Sequence, residues 1–399
     1  MSDAKLARKI SLPLLTFYGL GTILGAGIYV LIGEVTLRAQ QYTYLSFIIS
    51  ATIAGITAYS FARLASMYPK SAGEAAYVFA AFQSKRASAL IGLAVILIGS
   101  VSAATMVRGF TAYFLSVYDT QELLIIVAMI SFITIFSIWG ISQSIWLATI
   151  ITIIEILGLL FVIYVVLDDK EVTYEKIESA ESIIHHGPMI LYAAFISFYA
   201  YIGFEDIVNI AEETIDARKV VPLAILLSLV ISTILYVVLA ITCTTYVPLN
   251  IFEASDAPLV SIIAYKGFDT TMIALISMIA IVNGALVQQI MASRVLYGMA
   301  EQKLFLSIFK QVNTRTQTPI FATLVIAGFI LLLSVLFNLV TLAEITSAIT
   351  LLVFISVQIA LITISFRKNS KQILDYIIPS VGIVLNIVLI AFGFFIMQP

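Results

Sequence analysis

Charged residues are scarce in this sequence of 399 residues, of which 11% are charged and 61% are hydrophobic. Soluble domains usually carry about 25% charged residues, and a single soluble core of this size could not hide so much apolar surface from water. This composition excludes an ordinary soluble globular protein. The apolar residues recur in runs of roughly 20, the length at which a helix spans the hydrocarbon core of a bilayer. The sequence therefore indicates an integral membrane protein with many spans.

Cysteine and histidine are rarer still, with one cysteine and two histidines in the whole chain. The single Cys243 cannot form an intramolecular disulfide. His185 and His186 are adjacent but lack the cysteines or clustered carboxylates of a metal site, so we expect no metal. The sequence has no basic cluster dense enough for nucleic acid, no phosphate-binding loop and no base beside a candidate nucleophile. We expect no nucleic-acid partner, no cofactor and no enzymatic activity.

Eleven apolar runs are long enough to cross a bilayer. We predict helix for all of them, because unsatisfied backbone groups are very costly in lipid. The predicted spans cover residues 12–32, 44–68, 87–118, 123–139, 145–167, 189–211, 222–247, 271–299, 319–339, 342–366 and 373–397.

The basic residues of the loops predict the orientation of these spans. With the N-terminus in the cytoplasm, 16 Lys and Arg residues fall on the inside and 4 on the outside. An excess of Lys and Arg is typical of cytoplasmic loops. We therefore expect a multi-pass protein of the cytoplasmic membrane with its N-terminus inside.

Glycines interrupt two of the predicted spans. The first span reads GLGTILGAGIY, with breaks expected at Gly25 and Gly27, and the sixth reads FYAYIGFE, with a break expected at Gly203. Either glycine run alone is more typical of close helix packing. Together they occupy corresponding positions in two five-helix halves, and such paired interruptions indicate the binding site of a transporter.

A zwitterionic amino acid matches the chemistry of two broken helices. The free N–H groups and the dipole at the start of a half-helix favour a carboxylate. The free carbonyls at the end of a half-helix favour an ammonium group. The α-carbon of an amino acid carries both charged groups.

Five segments in order resemble the amino acid–polyamine–organocation transporter family, in its prokaryotic amino acid permease branch. The match is partial at the second segment, where the family has P-x-S-G-G-x-Y. The segments are GLGTILGAGIY, MYPKSAGEAAYVFAAF, FYAYIGFEDIVNIAEETIDARKVVPLAI, MASRVLYGMAEQKLFLSIFKQVNTRTQTP and LAEITSAITLLVFISVQIALITISFRK.

The resemblance implies an all-α membrane protein of the LeuT-type fold, with discontinuous first and sixth helices and alternating access. Residues 1–167 and 168–366 would form two inverted five-helix repeats, and residues 367–399 an additional eleventh helix.

The resemblance also implies main-chain contacts to the substrate. Ala26 and Gly27 would donate N–H groups to the substrate carboxylate. Four carbonyls would accept from its ammonium group, namely those of Ile23, Tyr199, Ala200 and Ile202.

Polar residues on the third, eighth and tenth spans are candidates for a side-chain pocket, although each could equally serve helix packing. These candidates are Ser102, Thr105, Met106, Asn283 and Ser356. Because no fixed charge faces a cationic or anionic side chain, we expect neutral amino acids as substrates.

Glu155 lies near the centre of the fifth span, where a carboxylate is costly and must find a partner or take up a proton. One hypothesis is that Glu155 couples transport to a proton. The alternative is a permanently protonated side chain bonded to a backbone carbonyl of the first helix.

Two further features have open interpretations. Arg108 in the third span could pair with a carboxylate such as Glu344. The apolar loop at residues 249–268 is interpreted as a surface helix in preference to a gate.

The sequence thus predicts a secondary active transporter of amino acids, driven by protons or by exchange and surrounded by membrane lipids. A polyamine or organic-cation carrier of the same fold is one alternative, and it requires carboxylates facing the cavity. A receptor or subunit that binds an amino acid without moving it is another.

Overall fold

The computed structural model describes residues 9–25, 27–68, 73–139, 145–168, 180–253 and 256–396. This part of the chain is helical, with one isolated β-bridge between Ile10 and Thr214. Its α-helices are α1 Leu12–Leu24, α2 Gly27–Ala39, α3 Thr43–Met67, α4 Gly73–Phe82, α5 Lys85–Leu115, α6 Glu122–Trp139, α7 Ile145–Asp168, α8 Ala180–Ser197, α9 Ala217–Tyr246, α10 Asn250–Glu253, α11 Pro258–Tyr265, α12 Thr271–Glu301, α13 Ile320–Leu336, α14 Leu339–Arg367 and α15 Leu374–Ile396.

Nine helical segments in the described residues are long and apolar enough to cross a membrane, and two apolar helices, α1 and α13, are shorter. The 13 residues of α1 reach only about 20 Å at 1.5 Å per residue, less than the hydrocarbon core of about 30 Å. Helix α1 therefore needs α2 to complete one crossing. A 3₁₀ turn at Gln40–Tyr42, with Gln40 at φ 50°, separates α2 from α3.

The helices group into the eleven predicted spans. The crossings are α1 with α2, α3, α5, α6, α7, α8 with the 3₁₀ segment that follows it, α9, α12, α13, α14 and α15. Helix α4 is an additional element between the second and third spans, and its sequence was not predicted to be helical.

Both interrupted spans lie inside the bundle. Helix α1 packs against α7 and α9, and α2 packs against α8. Glycines permit these close approaches: a Cβ at Gly19 would lie 2.3 Å from Ile207 Cδ1, and one at Gly21 would lie 2.3 Å from Thr152 Oγ1. Thr152 Oγ1 also donates to the Phe17 carbonyl at 3.2 Å.

The loop between α9 and α12 is packed more deeply than the surface helix that its sequence suggested. Leu259, Ile262 and Ile263 of α11 are fully buried, and a Cβ at Gly33 of α2 would lie 3.0 Å from the Pro258 side chain. Helix α11 therefore covers one end of the bundle, which we call the α11 end. The opposite end carries most of the Lys and Arg residues that the structure describes, and we call it the basic end.

The suggested partner of Arg108 is wrong. Arg108 is ion-paired with Glu122, at the start of the neighbouring α6. The Glu344 carboxylate accepts a hydrogen bond from the Tyr192 hydroxyl at 2.5 Å.

Candidate functional site

The first break separates α1 from α2. Gly25 has a non-helical conformation, with φ 6° and ψ −117°, and its N–H donates to the Gly21 carbonyl at 3.2 Å. The predicted contact residue Ala26 lies outside the described residues. The break leaves the last carbonyls of α1 and the first N–H groups of α2, beginning at Gly27, without partners in their own helices.

The second break follows α8. A 3₁₀ turn at Phe198–Tyr201 leads to Ile202 in an extended conformation, and a 3₁₀ helix at Phe204–Glu213 continues the span. Between them Gly203 has φ 122°, a conformation that glycine adopts without the steric cost of a side chain. A Cβ there would lie 2.5 Å from the Thr22 carbonyl oxygen. The sixth span is therefore broken at the predicted glycine, and only glycine fits.

The two breaks are in direct contact. Thr22 Oγ1 of α1 lies 2.9 Å from the Gly203 carbonyl oxygen. A Cβ at Gly27 would lie 2.5 Å from Ala200 Cα, so the start of α2 abuts the 3₁₀ turn of the sixth span. The Gly203 N–H donates to Glu205 Oε2 at 2.8 Å. Glu205 thus braces the break with its side chain.

Tyr236 of α9 joins the two breaks, a role that the sequence analysis missed. Its hydroxyl lies 3.0 Å from the Ile23 carbonyl and 3.0 Å from the Ala200 carbonyl. The resemblance assigned both carbonyls to the substrate ammonium group. Because a carbonyl has two lone pairs, an ammonium group can share these acceptors with Tyr236 or replace it. The Tyr199 carbonyl also has a partner, accepting from the Ile202 N–H at 3.2 Å.

A small cavity adjoins the first break. Its volume of about 20 Å³ can hold a single water molecule and is too small for an amino acid. It contains two of the predicted pocket residues, Met106 and Asn283. The full lining is Tyr18, Gly21, Thr22, Met106, Ala148, Asn283, Gly284, Val287 and Gln288.

Ser102 lies beside the second break without lining this cavity. Its Oγ is 3.1 Å from the Tyr199 hydroxyl, which also approaches the Ser102 carbonyl at 3.2 Å. The hydroxyls of Thr105 and Ser356 donate to carbonyls of their own helices, those of Val101 and Val353. Ser102 therefore contacts Tyr199, a predicted substrate-binding residue. Ser356, a predicted pocket residue, is not among the described residues that line the cavity.

The α11 end of the site is closed by hydrogen bonds between helices. Tyr113 of α5 donates to the Tyr29 carbonyl at 2.6 Å, and the Tyr29 hydroxyl donates to the Glu155 backbone carbonyl at 2.6 Å. With α11 packed over this end, the site is closed on its α11 side.

The Glu155 carboxyl group is fully buried, and within the described residues neither of its oxygens has a hydrogen-bond partner. The alternative of a bond to a first-helix carbonyl is therefore not seen. A lone buried charge at this position would be very costly.

Comparisons with known proteins match residues 10–399 to the amino acid permease family. Cationic amino acid transporter 3, mitochondrial, from Arabidopsis thaliana is 27% identical over 390 residues, covering 91% of this chain and 63% of that protein. The branched-chain amino acid permease BcaP of Bacillus subtilis (strain 168) is 26% identical over 396 residues, covering 93% of this chain and 83% of that protein. A methylthioribose transporter of the same bacterium is 26% identical over 399 residues, covering 92% and 83%.

These relatives differ in length and in the substrates that their names give. The chain spans 61 to 64% of the length of four cationic amino acid transporters from Arabidopsis thaliana. The three names above give cationic amino acids, branched-chain amino acids and a thiosugar. Because these names differ, the substrate of this chain must be inferred from the chemistry of its site.

Proposed function

Because this chain belongs to the amino acid permease family, we propose that it is a secondary active transporter that moves neutral amino acids across the cytoplasmic membrane by alternating access. This proposal is supported chiefly by the direct contact between two broken helices inside the bundle. The start of α2 lies against the Phe198–Tyr201 turn, and Thr22 bridges to Gly203. Free N–H groups suit a carboxylate, and free carbonyls suit an ammonium group.

The cavity favours neutral side chains. None of the described residues that line it is charged. A cationic substrate would need Glu155 or Glu205 to face the cavity, and Glu205 accepts a hydrogen bond from the Gly203 N–H. The other, Glu155, is fully buried behind the first break. A polyamine or organic cation would find no described carboxylate on the cavity wall, so we rank this alternative second, despite the names of several relatives.

Glu155 supports coupling to a proton. An unpartnered, fully buried carboxyl group is stable when protonated and unstable when charged. When the site opens and water reaches it, the charged form becomes accessible. A change of conformation can therefore bind or release one proton at this residue.

We propose that residues 1–167 and 168–366 are inverted repeats and that residues 367–399 form a helix outside them. The 16 to 4 distribution of Lys and Arg supports a cytoplasmic N-terminus. The basic end would then face the cytoplasm.

Counterflow in proteoliposomes tests the proposed function. Vesicles loaded with an unlabelled neutral amino acid should accumulate the labelled one transiently, and neither putrescine nor arginine should compete. Accumulation blocked by putrescine would favour the organic-cation carrier. Binding in a thermal-shift assay without any flux would favour a receptor.

A further inference from the structure

Helix α15 is held to the bundle by buried polar contacts. Asp375, at its start, is fully buried and accepts hydrogen bonds from Arg63 and Tyr59 of α3 at 2.7 and 2.8 Å. About three turns before its end, Asn386 donates to Gln358 of α14 at 3.2 Å. A lipid-facing accessory helix does not need such bonds. These contacts fix both the position and the rotation of α15.

Helix α15 also closely approaches α8, just before the second break. A Cβ at Gly393 would lie 2.7 Å from two ring carbons of Phe195. Phe195 is fully buried, so a displacement of its ring must also displace the close-packed neighbours of the ring. It lies three residues before the 3₁₀ turn at Phe198–Tyr201.

Helix α3 holds the same turn of α8 through hydrogen bonds. Ser50 Oγ donates to the Ala194 carbonyl at 2.7 Å and lies 2.8 Å from Ser197 Oγ. The end of α8 is therefore held by hydroxyl contacts from α3 and by the glycine surface of α15 against Phe195. A displacement of Phe195 would therefore also displace the turn that carries the Tyr199 and Ala200 carbonyls.

We propose that Gly393 is a positioning residue for substrate binding. Through its contact with Phe195, helix α15 fixes the position of the second break. This inference rests on the proposed function, because the turn is its substrate site. The added helix outside the repeats thus takes part in recognition without touching the substrate.

The variant Gly393→Ala tests the proposal by pushing one methyl group against the Phe195 ring. Overpacking of this kind displaces neighbours in a close-packed interior. We expect the dissociation constant for the amino acid to rise about tenfold, with the purified protein still monodisperse. The double variant Gly393→Ala with Phe195→Leu should return the constant to within about twofold of the wild-type value, because leucine makes room for the methyl group.

Gly328→Ala is the matched control, since a Cβ at Gly328 on α13 meets nothing within 4 Å. It should bind as the wild type does. Hydrogen exchange gives a readout that needs no substrate: the amides of residues 198–203 should exchange faster in Gly393→Ala and at the wild-type rate in the double variant.

Unchanged binding and unchanged exchange in Gly393→Ala would overturn the proposal, as would a folded double variant that recovers neither. A wild-type protein that binds no amino acid would instead refute the proposed function. The exchange comparison would then still decide whether α15 positions the break.

Discussion

Tyr236 shows at the residue scale how the closed site is stabilised. Its hydroxyl is shared between one carbonyl of each broken span, those of Ile23 and Ala200. A buried carbonyl that loses its donor costs about 1–3 kcal/mol. The tyrosine therefore stabilises the closed conformation at the point where a substrate ammonium group would bind.

The variant Tyr236→Phe should lower the melting temperature of the substrate-free protein, because the single hydroxyl donor that the two carbonyls share is lost. Added amino acid should then raise the melting temperature more than in the wild type, since its ammonium group meets no competing hydroxyl. A thermal-shift titration measures both effects. The control is Tyr164→Phe, because the Tyr164 side chain on α7 is 65% exposed. This variant should change neither the melting temperature nor its rise with added amino acid.

Glu155→Gln should separate transport from proton movement. Glutamine keeps the shape of the side chain but cannot release a proton, so substrate-driven proton uptake into proteoliposomes should be lost. Counterflow, which needs no net proton movement, should persist. Glu122→Gln, at the half-exposed partner of Arg108, should keep both activities. A proton-to-substrate ratio that stays unchanged in Glu155→Gln would end the coupling proposal.

The residues that a sequence can predict here are those whose conformation requires a particular amino acid. Gly203 is such a residue, because its φ of 122° and its contact with Thr22 exclude a side chain. Tyr236 left no comparable signal. A tyrosine within an apolar span is common, and only the three-dimensional packing shows which carbonyls its hydroxyl reaches.

At the scale of elements, a short main-chain pairing joins the two broken spans at the basic end. The N–H groups of Lys9 and Ile10 approach the Glu213 carbonyl at 2.9 and 3.0 Å, and the Ile215 N–H donates to the Ile10 carbonyl at 2.9 Å. At the other end of α1, Thr22 bonds to Gly203. Because the segments are joined at both ends, we expect α1 and the second half of the sixth span to move together.

A disulfide between Ile10→Cys and Thr214→Cys, placed in a Cys243→Ala background, tests this coupled movement. These residues form the β-bridge, and paired strand residues are close enough for a disulfide. Uptake by the oxidised protein should remain near the level of the reduced protein. Uptake that disappears on oxidation and returns with reductant would contradict the coupling, since it would mean that the two segments must separate.

Hydropathy predicted the helical spans well because the bilayer allows few alternatives to a helix. The seventh predicted span, residues 222–247, corresponds to Ala217–Tyr246, and the eleventh, residues 373–397, corresponds to Leu374–Ile396. Helix α4 was missed because it is too short and too polar at its start for a span. The 3₁₀ form of Phe204–Glu213 was missed because hydropathy does not distinguish it from an α-helix.

At the scale of the whole molecule, a polar connection closes the α11 end across three helices. Arg38 of α2 is ion-paired with Glu34 at 2.9 Å and lies 5.7 Å from the ring centre of Tyr192 on α8. The Tyr192 hydroxyl donates to Glu344 of α14. If this end opens during transport, α14 must part from α2 and α8, and the hydrogen bond must break.

The variant Tyr192→Phe should therefore favour the conformation that is open at the α11 end. Loss of a hydrogen bond to a carboxylate should raise the open population about tenfold. The labelling rate of Leu259→Cys, a buried position on α11, measures that population in a Cys243→Ala background. The control Tyr118→Phe, at a residue that is 58% exposed, should leave the labelling rate unchanged. A labelling rate in Tyr192→Phe equal to that of the wild type would show that the Tyr192–Glu344 hydrogen bond does not hold this end closed.

In the proposed mechanism, the main chain at the two breaks binds both charged groups of an amino acid. Binding of a neutral amino acid should be compared with that of its methyl ester and of its des-amino acid, by thermal shift of the wild-type protein. We predict that the zwitterion raises the melting temperature and that neither analogue does so at the same concentration, because each lacks one of the two charges. If either analogue binds as tightly as the amino acid, then the half-helix ends do not form the substrate site.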